Sequence, residues 1–119
     1  MTFDSTKPTV QLLGRWQPWH DGHTALFKRA IEKTGQVIIM VREMPIDENN
    51  PWGYEQVWYG VRDALQAVGF NYTEHYIVMK APNIVDITYG RDVGYTITQE
   101  HLGAEIESIS ATKIRNANK

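Results

Sequence analysis

The chain contains no cysteine. Disulfides and thiolate metal sites are therefore excluded, and a reducing cytoplasm is the expected compartment. It has no apolar run near the roughly 18 residues that a membrane helix needs, so no membrane partner is expected. It also lacks a strong charge of either sign: 12 Lys and Arg against 14 Asp and Glu leave a net charge of -2. Without a basic field nothing global holds a nucleic-acid backbone, so nucleic acid is not expected as a partner. Any anion site must be local, made of a few Arg, Lys or His and oriented backbone N–H groups. The opening stretch MTFDSTKPTVQ has no charged segment leading into an apolar one, so it does not read as a signal peptide. No repeat and no low-complexity segment is present.

What is present reads as one domain, residues 1–119, with a hydrophobic share of 42% that is enough to build a core. Short apolar runs predict strands at Thr9–Gly14, Gln36–Val41, His75–Lys80, Val85–Gly90 and Glu105–Ser110. The continuous run QVIIMV suits a strand buried on both faces, as in parallel sheets. Asp21–Lys33 predicts a helix with Ala25, Leu26, Ala30 and Ile31 on one face and Gly35 as its stop. Tyr54–Gly69 predicts a second helix, with Val57, Val61, Leu65 and Val68 spaced for a core face. The alternation predicts a Rossmann-like, doubly wound α/β domain with a mostly parallel five-stranded sheet in the order 3-2-1-4-5 and helices on both faces. Such sheets bind ligands at the carboxyl ends of their strands. Two unusual segments, GRWQPWHDGH and SISATKIR, fall at that edge.

In HDGH, Gly22 lets a helix begin close to a ligand. The free N–H groups and positive dipole end of that helix make a phosphate site. His20 and His23, three residues apart, can converge on one group. A neutral imidazole donates one hydrogen bond and a protonated one adds charge. Arg15 can add a bidentate contact. Two other readings stay open: a metal held by His20, Asp21 and His23, and histidines that are merely structural. Trp16 and Trp19 read more readily as packing than as stacking platforms. In SISATKIR, Ser110 can cap a helix with Thr112 in its first turn. Lys113 and Arg115 would oppose the helix dipole there unless an anion is bound. An ordinary N-cap with solvated basic residues is the plainer alternative.

GRWQPWHDGH resembles the G-x-F-x-P-x-H-x-G-H signature of the nucleotidylyltransferase superfamily with the HxGH motif, and ISATKIR resembles its second signature. NPWGYEQVWYGVRDAL is similar to the segment after the second strand in nicotinamide mononucleotide adenylyltransferases of the archaeal type. The resemblance implies transfer of a nucleoside monophosphate from ATP or CTP to a phosphate monoester such as nicotinamide mononucleotide. Pyrophosphate is released, and Mg²⁺ comes with the nucleotide rather than in a dedicated protein site. It assigns catalysis to His20, His23 and Arg115. It assigns nucleotide contacts to Gly14, Arg15, Trp16, Gly22, Ser110, Thr112 and Lys113, with Arg91 as a further contact. A small cytidylyltransferase of the glycerol-3-phosphate type, whose first motif reads GTFDLxHxGH, is the alternative within the class. A nucleotide-binding module without turnover is the alternative outside it, since Glu55 has no adjacent arginine where relatives carry a Glu-Arg pair. A homodimer or higher homo-oligomer is expected from economy of burial in so short a chain.

Overall fold

The computed structural model describes residues 2–91 and 94–103. Three strands and two helices alternate: β1 (Val10–Gly14), α1 (Asp21–Thr34), β2 (Val37–Arg42), α2 (Tyr54–Ala67) and β3 (Tyr76–Ala81). The strands are parallel, in the order β1-β2-β3, with Leu12, Ile39 and Val78 in register across the sheet. The protein is thus a small α/β domain.

The core forms between one face of the sheet and both helices. Leu12, Val37, Ile39, Val41, Tyr76 and Val78 alternate along the strands and are buried, together with Phe27 and Ala30 of α1 and Val57, Val61 and Leu65 of α2. Right-handed crossovers that step in one direction across a sheet place successive helices on the same face, as found here. The other face, with Leu13, Ile38, Met40 and Ile77, is only partly buried, and Met79 is 46% exposed. The expected burial of both faces is therefore corrected among the described residues. A continuous apolar run states that both faces are apolar, not that both are covered.

Further expectations need correction. Val85–Gly90 forms no strand, and Val85, Ile87 and Tyr89 are 83%, 51% and 55% exposed. Its alternating pattern fits an extended chain, but a strand also needs a neighbour to bond, and residues 82–91 pair with none of the described strands. The described sheet has three strands rather than five, and the strand expected at Glu105–Ser110 lies outside the described residues. In α1, Ala30 is buried and Leu26 and Ile31 are partly buried against the core as expected, but the face also buries Gly22, Thr24 and Phe27, which the expected set left out. Phe27, fully buried, carries the largest share of apolar area on that face. Val68 falls past the end of α2 and is 44% exposed.

The element ends follow from local chemistry. Gly35 closes α1 in the left-handed region at φ 83°, where its N–H donates to Ile31 O at 2.7 Å. The Gln36 amide donates to Asp4 O and Thr9 Oγ1, each at 2.7 Å, and accepts from Asp4 N–H, pinning the leading segment beside the sheet. Glu100 pairs with Lys33 and, at 3.8 Å, with Arg29 on the exposed side of α1.

Candidate active site

The carboxyl end of β1 runs into the amino end of α1 through residues 15–20. Trp16 turns that corner in the left-handed region, at φ 53°, a rare conformation for a bulky residue. Its indole lies against Gly14 so closely that a Cβ there would sit 2.8–3.0 Å from three ring atoms. Gly14 is therefore required by the approach of Trp16. The indole N–H of Trp16 donates to Met40 O on β2 at 3.1 Å. That of Trp19 donates to Thr24 Oγ1 at 2.8 Å. Both indoles are buried, 5% and 8% exposed, and form the wall behind His23. Their ring centroids lie 4.8 Å and 5.4 Å from the imidazole.

The loop is also tied sideways. The Gln17 amide donates to Trp52 O at 2.8 Å and accepts from Trp52 N–H at 3.1 Å. Arg15 Nη1 reaches Asn50 Oδ1 at 3.4 Å. The NNPW stretch before α2 thus braces the loop that carries the histidines. Sequence reasoning singled out none of Gln17, Thr24, Asn50 and Trp52. No local signal reveals them, because each acts through a partner distant along the chain or through tertiary placement.

His20 and His23 cap α1 reciprocally. His20 is the N-cap, with extended backbone, and its Nδ1 accepts from Gly22 N–H at 3.1 Å. His23 Nδ1 accepts from His20 N–H at 3.1 Å. This is the capping-box pattern, usually written S/T-x-x-E/Q, carried out by two imidazoles at the same spacing. The rings stack with centroids 3.6 Å apart and planes 19° apart. Because both Nδ1 atoms accept, the proton of each neutral ring sits on Nε2. The pair therefore offers two Nε2–H donors at a helix amino end, above the carboxyl end of a parallel strand.

Burial pushes His23 down to about 3, helped by the neighbouring His20. Burial lowers His20 as well, with Asp21 opposing. Both shifts favour the neutral rings, and of the two forms open to them the neutral donor is the one burial selects. A folded-state value below the unfolded one means that the unfolded chain takes up a proton that the folded chain refuses. Stability conferred by neutral His23 is complete above about pH 6.5 and falls as pH drops toward 3, by up to about 1.4 kcal/mol per pH unit. We expect urea midpoints to fall between about pH 7 and about pH 5, and His23→Gln to flatten that loss.

Gly14, Trp16, His20, Gly22 and His23 come together at this corner. Arg15 is exposed beside it, and Arg91 is exposed in the segment after β3. Ser110, Thr112, Lys113 and Arg115 lie outside the described residues. Among the described residues no group of three or more His, Asp or Glu is arranged to hold an ion. A recess of about 110 Å³ opens at the carboxyl ends of β2 and β3, with Gln17, Arg42, Glu43, Tyr54 and Lys80 among its walls; Glu43 lies 3.8 Å from Lys80 Nζ. No protein-family model matches the chain and no curated protein matches it, so the functional reading rests on these residues and their geometry.

Proposed function

We propose that the chain is a nucleotidyltransferase that moves a nucleoside monophosphate from ATP or CTP onto a small phosphate monoester, such as nicotinamide mononucleotide, and releases pyrophosphate. The observation that carries this reading is the stacked, reciprocally capping His20–His23 pair. Both Nδ1 atoms are tied to backbone N–H groups, and both Nε2–H groups are left to donate at the amino end of α1. An oxygen of the acceptor phosphate attacks the α-phosphorus, the bond from that phosphorus to the bridging oxygen breaks, and pyrophosphate leaves with the electron pair. The attacking oxygen is already anionic, so no protein base is needed. What the site must supply is positioning and donors aimed at growing charge. Neutral imidazoles suit this task because they donate without needing a proton from solution.

Arg15 stands at the mouth of the corner to hold the triphosphate, and Ser110, Thr112, Lys113 and Arg115 are proposed as its further contacts. With no cage of protein ligands among the described residues, Mg²⁺ would be held by phosphate oxygens and water and would neutralise charge on the leaving group. The acceptor phosphate would lie at the recess bearing Arg42 and Lys80 on the same sheet edge, displacing Glu43 as the partner of Lys80. The sheet face that the described residues leave partly exposed supports a homodimer as the assembly.

The test is pyrophosphate release from ATP and from CTP against a panel of phosphate monoesters. Release that depends on both the nucleotide and one acceptor is expected. Tight nucleotide binding with no release under any acceptor would make the chain a binding module instead.

A further inference from the structure

Two side-chain rungs join the β1–α1 loop to the stretch before α2. Gln17 and Trp52 make theirs twice over, at 2.8 Å and 3.1 Å. The other is a single contact, Arg15 Nη1 donating to Asn50 Oδ1 at 3.4 Å. One long bond to an exposed arginine adds little to holding two loops that Gln17 already ties. Its effect falls on the arginine instead.

Asn50 is itself held firmly. Its side chain is 3% exposed, and its Nδ2 donates to Asp47 Oδ1 at 3.1 Å. That same oxygen accepts the backbone N–H groups of Asn49 and Asn50, each at 2.8 Å, so the turn fixes the carboxylate in place. Hydrogen bonds from Asn50 and Asn49, with the charge of Arg15 in addition, hold the Asp47 carboxyl below its usual range, and it remains an acceptor at neutral pH. An asparagine amide fits either way round until its partners decide. An ionised carboxylate only accepts, so the NH₂ side must face Asp47 and the oxygen is left for Arg15.

The order of cation, amide and carboxylate matters. A carboxylate in direct contact with Arg15 would offset its charge and repel an arriving anion. Among the described residues none lies within ion-pair distance of it. With a neutral amide between them, the guanidinium is aimed yet keeps its charge and all but one of its N–H donors. An exposed arginine without such a partner samples many rotamers, and that freedom opposes binding.

We propose that Asn50 is a positioning residue which, oriented by Asp47, holds the Arg15 guanidinium in place for the phosphates of the nucleotide. The inference rests on the reading of Arg15 as a triphosphate contact. It adds that the loop before α2, and not the β1–α1 loop alone, sets how tightly the triphosphate is held.

The experiment is a calorimetric titration of the full chain with inorganic tripolyphosphate and with ATP, without any acceptor. The parent is expected to bind both. Asn50→Leu keeps the buried volume and removes both hydrogen-bonding ends, while Gln17 still ties the loops and Asp47 still caps its turn. The Kd for both ligands should rise about fivefold or more, with the melting temperature within a few degrees of the parent. Asn50→Ala removes the same two ends and makes the same comparison should leucine not fit the space. The variant is then repeated on an Arg15→Gln background. There it should weaken binding no further, because the residue it acts through is gone. A role in loop stability alone would weaken binding equally on both backgrounds. Equal losses on the two backgrounds, unchanged binding in a folded Asn50 variant, or no binding of either ligand by the parent would each overturn the proposal. Binding that depends on Asn50 through Arg15 without any pyrophosphate release would sink the transfer reading and leave this one standing.

Discussion

Replacing His23 with glutamine is expected to lower turnover by about 10²- to 10³-fold, the loss typical of removing one donor from a developing oxyanion. Glutamine is the informative choice because of where His23 sits. At the third position of α1 its Nδ1 accepts the N–H of His20, and a glutamine at that position makes the same return bond in ordinary capping boxes. The variant should fold, keep the start of α1 and melt near the parent. What it loses is the imidazole Nε2–H and the ring stacked on His20. If those act on the transferring phosphate, kcat falls while nucleotide affinity changes less. If they only cap the helix, turnover holds within a few-fold. Initial rates of pyrophosphate release, read beside a melting curve, separate the two outcomes.

The largest effect on stability is expected at Phe27. It is fully buried, its ring meets Phe70 edge to face at 4.9 Å, and it approaches Tyr76 at 5.7 Å. Truncation to alanine should cost about 3–5 kcal/mol, because it removes both the transfer energy of the ring and the contacts around the space left behind. That is a large part of the total for a domain whose whole stability is expected at about 5–15 kcal/mol. The urea midpoint should fall steeply with the slope of the transition unchanged. Since α1 also carries the two histidines, the same substitution should loosen the site. A loss under about 1 kcal/mol would mean that α1 is not anchored through Phe27.

The three described strands and both helices were legible from apolar runs and glycine stops, with boundaries shifted by only one or two residues. Gly35 ends α1 as glycine should, and β1 ends at Gly14. Two features were not legible for the same reason: both depend on partners elsewhere in the chain. Whether the second face of the sheet is covered, and whether Val85–Gly90 finds a strand to pair with, are tertiary questions that local patterns do not answer. At the candidate site, the residue types were legible and the geometry was not. The H-x-x-H spacing points to convergence on a ligand. It also matches a capping box, and that second meaning fixes which nitrogen of each ring bears the proton. The low value of His23 was beyond local reading as well, because it comes from burial behind Trp16 and Trp19 and from the stacked neighbour.

The measurement that bears most directly on this account is the ¹⁵N spectrum of the histidine side chains near neutral pH, recorded without nucleotide and then with saturating ATP or CTP and Mg²⁺. The account predicts that His20 and His23 are both neutral and protonated on Nε2, and that both Nε2 signals move when the nucleotide binds. Imidazolium rings, protons on Nδ1, or Nε2 signals indifferent to the nucleotide would contradict it.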